Sequence, residues 1–241
     1  MKKFLIPFQY YDPFMRLGLN QRLMQKVENE QNVYFSLTGW DTVCISIGVH
    51  QKITNVLTPF ARENMPLIRR ESGGGAVILT RDDICWGIVA PQSYFPQKKQ
   101  DIYRFACERI QKALHEMHIP SDFKEPNDII TENGKISGSA IVEKNGVIYV
   151  MGTLLFKKDK ELMNRCLCPE FDRKPSVKEQ EKRITSISDE SSCSFVDAVQ
   201  IVQKHLCDTQ DIQQYEWTLA DIAYAQEIAQ KMSDKKWIYA L

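Results

Sequence analysis

The 241-residue chain has no surplus of either charge, because 31 Lys and Arg balance 31 Asp and Glu. A global basic field is therefore missing, which argues against nucleic acid or an anionic membrane as its main partner. The seven cysteines are odd in number and follow no regular spacing. That excludes a disulfide scaffold and points to free thiols in a reducing, cytoplasmic compartment. Cys166 and Cys168 lack a His or Cys companion at zinc spacing. Long apolar runs are absent too. Pro7 interrupts the opening MKKFLIPFQYYDPF, and polar residues follow, so it reads neither as a signal peptide nor as a membrane span. There are no repeats and no low-complexity segments. What remains is ordinary globular usage, 43% hydrophobic and 26% charged, in a chain long enough for a real core.

Several elements can be read from periodicity. Asp12-Pro13 pairs a capping acid with a first-turn proline, and the apolar arc from Phe14 to about Val27 predicts a helix. Asn20 falls inside that arc, where it is either a satisfied buried amide or a residue facing a site. VYFSL and TVCISIGV, split by Thr38 to Asp41, predict a strand pair with Trp40 at its turn. PLIRR, AVILT and DDICWGIVAP predict three strands of a meander. Lys98 to Ile119 is the clearest helix, and it stops before Pro120. Further on, Asn133-Gly134 and Asn145-Gly146 separate β-branched runs, predicting three antiparallel strands between Asn127 and Phe156. Alternation along the middle strand places Lys135, Ser137 and Ser139 on one face and Ile136 on the other. That row reads either as a site or as a solvated strand edge. After Phe156 come a short helical stretch and a charged run, DRKPSVKEQEKRITS, expected to be a loop. Helices over about 194–206 and 219–232 close the chain.

RRESGGGAVILT, from Arg69, is the most informative stretch. Three glycines in a row disfavour helix and strand alike, so bare backbone must serve some purpose there. They open a strand rather than a helix and lack a following Gly-Lys-Ser/Thr, which removes the Rossmann and Walker readings. Two readings stand. One is a tight turn flanked by surface arginines. The other is close approach of backbone N–H groups to a carboxylate, phosphate or acyl carbonyl, with one of Arg69 and Arg70 facing the anion.

RRESGGGAV, followed by NDII, GKISGSA and MGTLLF in that order, resembles the lipoate–protein ligase A family, over roughly residues 12 to 190. The resemblance implies a single mixed α/β domain with a largely antiparallel sheet and flanking helices, related to biotin ligases and class II synthetases. It implies activation of lipoate or octanoate with MgATP to the acyl-AMP, then transfer to a lysine of an apo lipoyl domain. Such acceptors belong to 2-oxoacid dehydrogenase complexes or are the glycine cleavage H protein. By motif position Lys135 is the central lysine, touching carboxylate and α-phosphate. Arg70, Ser72, Gly73, Gly74, Gly75, Ala76 and Val77 would line the acyl slot with Trp40. Ser137, Gly138, Gly152 and Thr153 would also meet the substrate. Asn127 and Asp128 would hold the nucleotide, with Asp128 on its Mg²⁺. The segment around Ser176 to Ile187 resembles the one that closes over the adenylate.

The chain departs from that family in four places. Leu79 and Val150-Met151 stand where histidines are usual, and Asn20 and Gln21 where acidic residues are usual. About fifty residues follow Ile187, too few for a full C-terminal accessory domain, so a separate accessory protein is an expected partner. Two alternatives remain. One is an ATP-independent octanoyl or lipoyl transferase, although SDFKEPNDII offers no cysteine nucleophile. The other is a non-catalytic acyl-binding homologue.

Overall fold

The first residues form β1 (Lys3–Tyr11), and the chain turns at Asp12 into α1 (Pro13–Glu30). The Asp12 carboxylate accepts from the backbone N–H groups of Phe14 and Met15 at 2.9 and 3.0 Å, and Pro13 occupies the first helical position. This is the cap expected from the sequence. There follow β2 (Val33–Trp40), β3 (Cys44–Ile47), α2 (Ile53–Val56), α3 (Pro59–Asn64), β4 (Leu67–Arg69), β5 (Val77–Leu79) and β6 (Asp83–Pro91). The second half comprises α4 (Lys99–Glu116), β7 (Asp122–Lys124), β8 (Asp128–Thr131), β9 (Gly134–Lys144), β10 (Val147–Leu155), α5 (Lys160–Cys166), α6 (Ile187–Glu190), α7 (Phe195–Leu206), β11 (Ile212–Gln214), α8 (Leu219–Met232) and α9 (Lys235–Ile238). The structure is a computed structural model that describes residues 1–168, 184–207 and 211–240. Most of the charged loop and of the closing segment expected around Ser176 to Ile187 lies outside them.

Eight strands form one sheet in the order β11-β1-β2-β6-β10-β9-β8-β7, and β4-β3-β5 form a second. The large sheet is antiparallel except where β1 pairs with β2 and β11, which gives the mixed, largely antiparallel α/β architecture expected. The three strands between Asn127 and Phe156 are β8, β9 and β10, and Asn145 and Gly146 both take positive φ in the second turn.

Two expectations fail. The runs VYFSL and TVCISIGV are not a strand pair. β2 is buried at every position, so both its edges need partners, and β1 and β6 take them. After Trp40 the chain crosses to the second sheet. Nor do β4, β5 and β6 form a meander. The glycine segment carries the chain from one edge of β3 to the other, so β4 and β5 flank β3, and β6 joins the large sheet.

The main core lies between the large sheet and the helices α4 and α7. Ile102, Ala106, Ile110 and Ala113 of α4 and Ala198, Val202 and Leu206 of α7 pack on Leu37, Trp86, Ile88 and Val150. On the sheet's other face, Leu23 and Val27 of α1 pack against Tyr34, Val89 and Tyr149. α8 lies along α1, so closely that a Cβ on Gly18 would stand 2.1 Å from the Ala225 carbonyl oxygen. Arg22 Nε meets Asp221 Oδ1 at 2.6 Å beside that crossing. Asp221 also accepts from Tyr215 and Thr218, and these bonds hold its pKa far below the usual carboxylate range against the opposing effect of burial. Among the described residues no helix is long and apolar enough to cross a membrane.

The turn from β5 to β6 is closed by Asp83, whose Oδ2 accepts from the Thr80 backbone N–H at 2.7 Å. Asp83 is buried, and its Oδ1 has no partner. Desolvation therefore pushes its pKa up to about 7.

Two expectations follow. Gly18→Val should force α1 and α8 apart and lower unfolding free energy by about 1–3 kcal/mol in urea titration; an unchanged midpoint would refute the close contact. For Asp83, the folded state keeps its proton to a higher pH than the unfolded state does. Its contribution is full below about pH 4 and declines as pH rises toward 7, by up to about 1.4 kcal/mol per pH unit. Asp83→Asn should flatten that part of the stability–pH curve, and an unaltered slope would show that Asp83 is not its source.

Candidate active site

The candidate face of the large sheet depends on an irregularity in β9. Ile130 pairs with Lys135, but Ile129 pairs with Ser137, so Ile136 is an extra residue on β9. Such a bulge breaks the alternation of side chains. The reading that set Lys135, Ser137 and Ser139 on one face is therefore corrected. Ser137 lies opposite Leu154 and Ser139 opposite Gly152, on the side of the α4 core. A Cβ on Gly152 would stand 2.4 Å from the Trp86 ring. Ser139 Oγ donates to the Asn127 carbonyl at 2.8 Å, and Asn127 Nδ2 donates back to the Ser139 carbonyl, so Asn127 ties β9 to the start of β8.

Lys135 shares the opposite face with Gly138. A Cβ on Gly138 would fall 2.8 Å from Lys135 Nζ and 3.4 Å from Asp128 Oδ1. The missing side chain is what lets the ammonium lie over the strand, where it pairs with Asp128 at 2.7 Å. Strand register extends this into a row, Asp128–Gly138–Thr153–Cys85–Thr38, crossing five strands. Its members are small or polar. Met151, one of the two residues in place of histidines, lies two positions before Thr153 and so on this face, whereas Val150 points into the α4 core.

The glycine segment borders the same space from the second sheet. Cys44 pairs with Leu79, and Ser46 with Val77 and Ile68, so these five share a face. Cys44, Ile68 and Leu79 pack with Leu17, Trp40 and Cys85, which brings the face of the small sheet onto the row of the large one. Val77 remains 41% exposed there. Ala76 instead packs toward the outer cluster around Ile45 and Ile47. Trp40, only 2% exposed, ends β2 and donates from Nε1 to Cys85 Sγ at 3.1 Å.

The adjacent arginines diverge, as alternation requires. Arg69 is buried and donates to the carbonyls of Gly48, Val49, Gln51 and Ile238. Arg70 holds the glycine segment itself. Its Nη2 donates to the Gly73 and Gly75 carbonyls at 2.9 and 2.8 Å, its Nη1 to the Ser46 carbonyl, and its Nε to Ser72 Oγ at 3.1 Å. Burial lowers its pKa to about 10. Gly74 takes a φ of +100°, and a Cβ on Gly48 would stand 2.2 Å from the Gly74 carbonyl oxygen. Glycine is needed at both positions. Gly73 is exposed with open space at its missing side chain.

One residue absent from the sequence reading, Arg16, also lines this space. Arg16 of α1 is 7% exposed, donates from Nε to Thr38 Oγ1 at 2.6 Å, and lies 4.4 Å over the Trp40 ring. Asn20, one helical turn on, accepts from the Tyr149 hydroxyl at 3.0 Å. The polar residue already evident at Asn20 was the signal for Arg16, since positions four apart share a helix face. The cysteines nearby are poor nucleophiles. Burial pushes Cys44 up to about 12 and Cys107 up to about 11, and raises Cys85 as well.

With this geometry established, comparison with known proteins places the chain. The lipoate-protein ligase A of Blochmanniella pennsylvanica is 29% identical over 182 residues, which is 73% of this chain and 50% of that protein. The octanoyltransferase LipM of an Exiguobacterium species is 25% identical over 167 residues, 58% of this chain and 60% of that one. The chain thus spans about half the length of the curated ligases it matches. Two solved structures share its fold at 18% identity and a TM-score of 0.83. One is a bi-partite lipoate protein ligase from Thermoplasma acidophilum, with 100% of this chain and 96% of that chain covered; the other is a lipoate-protein ligase A bound with ATP, with both chains covered in full. The family described as lipoyl protein ligase A/B catalytic domain matches residues 12–207, a span that contains both the glycine segment and the Lys135 strand. The chain belongs to that family.

Proposed function

We propose that the chain is an ATP-dependent acyl–protein ligase, acting on lipoate or octanoate and on a lysine of an apo lipoyl domain. The observation that carries this reading is the Lys135 ammonium lying over Gly138 beside Asp128, on the face that the glycine segment borders. In the first step a carboxylate oxygen attacks the α-phosphorus of ATP and pyrophosphate leaves. In the second the acceptor amine attacks the acyl carbon and AMP leaves. Lys135 lies between the two anions in the first step, where a fixed cation relieves their repulsion and stabilises the charge that develops. The glycine segment, held from behind by Arg70, presents backbone without side chains to the acyl chain. Val77, Leu79, Trp40 and Met151 supply apolar wall in place of the usual histidines.

Among the described residues no group of three or more His, Cys, Asp or Glu is built to hold a metal ion. A magnesium ion accompanying ATP needs only one or two carboxylates beside the phosphates, and the partly exposed Asp128 suits that need. Bound there, it would neutralise phosphate charge.

The archaeal neighbour described with its E2 lipoyl domain supports an acceptor of that class. A transferase reading draws on the similarity to LipM. Burial raises the thiols of Cys44 and Cys85, which lie beside the row, and this disfavours a cysteine nucleophile there.

The test is the mass of an apo lipoyl domain after incubation with the protein. We expect acylation with lipoate and MgATP, and none with an acyl-carrier donor alone. The reverse pattern would establish the transferase, and an unmodified acceptor in both arms would remove the reading of an enzyme that acts without an accessory protein. Lys135→Ala should cost about 10²- to 10³-fold in rate. Gly138→Ala should leave stability nearly unchanged, because its Cβ meets the ends of the Lys135 and Asp128 side chains and no backbone, yet slow acylation about 10-fold or more by displacing the ammonium. Full activity in either variant would reassign the lysine.

A further inference from the structure

Arg16 is out of place in a slot meant for an acyl tail. Nearly all of its side chain is buried, and one of its five donors, Nε, is taken by Thr38 Oγ1. The guanidinium is pinned from below by the Trp40 ring. Among the described residues its two terminal nitrogens make no hydrogen bond, and no carboxylate pairs with it. Unlike Arg69 Nη2, these nitrogens are not fully enclosed by protein, so their donors stay open to solvent or to a ligand, and the contact with one indole does not use them.

Its place in the row indicates what the partner is. Lys135 and Asp128 stand at one end, over Gly138. Arg16 stands at the other, over Thr38, and Cys85 and Thr153 lie between. Gly138 and Thr38 are three strand spacings apart, about 14 Å. An extended eight-carbon acid, at about 1.2 Å per bond, spans roughly 9 Å. That leaves about one hydrogen-bond length at each end. A carboxylate held at Lys135 therefore puts the far end of its chain against the free edge of the guanidinium. Asn20, on the same stripe of α1 one turn further on, adds a second polar group beside that end.

We infer that Arg16 reads the distal end of the acyl chain and favours acids carrying a hydrogen-bond acceptor there over acids ending in a methyl group. This rests on the acyl-activating reading above and specifies its substrate class. A methyl end would cover the two terminal nitrogens without satisfying them. A polarisable dithiolane sulfur, or better an oxygen, would satisfy them. Sites built around a buried polar group reject analogues that lack its partner far more strongly than apolar pockets reject an extra atom.

The test is binding, measured by calorimetry with the whole protein, so that it does not depend on transfer. Octanoate and octanedioate differ only at the far end, and lipoate tests the sulfur. We expect octanedioate to bind about 10-fold or more tighter than octanoate, with lipoate also ahead of octanoate. Arg16→Met should reduce both ratios to near one, whereas Arg16→Lys, which keeps a cation, should retain an advantage for octanedioate. Equal binding of octanoate and octanedioate by the wild type would overturn the inference, and so would an undiminished ratio in Arg16→Met. If the methionine variant does not fold, the wild-type ratio and the lysine variant decide. Failure of all three acids to bind would instead remove the acyl-activating reading, and the inference with it.

Discussion

A lysine ammonium can lie across a β-strand only where the strand has nothing in its way, and this constraint organises the rest of the molecule. Gly138 provides the gap, and the extra residue at Ile136 turns Lys135 to the same side as that gap. The bulge also leaves Ile136 in the apolar core behind β9. One local irregularity therefore serves packing on one face and presents charge on the other. Asn127 then fixes the edge where this happens, tying the backbone of β9 to the start of β8 so that Asp128 stays within reach of the ammonium.

The second half of the cleft is built on a similar economy of side chains. Glycine segments are floppy unless something holds them, because unsubstituted backbone loses the most entropy on ordering. Here Arg70 holds three peptide carbonyls and a serine hydroxyl from behind, so the exposed side of the segment stays free of side chains while its course is fixed. Arg69 does the same for the neighbouring turn and the last helix. The two arginines that look from sequence like a doubled anion site are largely occupied as scaffolding. The arginine that lies against the row of the large sheet is instead Arg16, over Trp40 and beside Thr38.

Much of the fold was legible where a local rule governs it. Asp12-Pro13 caps a helix by its own chemistry, and the two Asn-Gly pairs separate three strands, because these signals act within a few residues. Partnership between distant strands was not legible. Nothing in VYFSL says that its edges go to β1 and β6, and nothing in PLIRR says that it lies beside β3. The site divides in the same way. Lys135, Gly138, Asp128 and the glycine segment were evident as motifs. The face of Ser137 was not, because a bulge of one residue inverts alternation and leaves no mark in composition, whereas Gly152 on the regular β10 faces away from Thr153 by alternation alone. Arg16 was hidden because its importance comes from Thr38 and Trp40, more than twenty residues away.

The two sheets that enclose the cleft are joined by a pair of three-residue links, 41–43 between β2 and β3 and 80–82 between β5 and β6. Cys44 and Leu79 sit side by side in the small sheet, and Thr38 and Cys85 do so in the large one, so both links leave from one rim. They pin the sheets to each other along that rim, and the shared packing of Cys44 and Leu79 with Trp40 and Cys85 sets which residue of one wall meets which residue of the other.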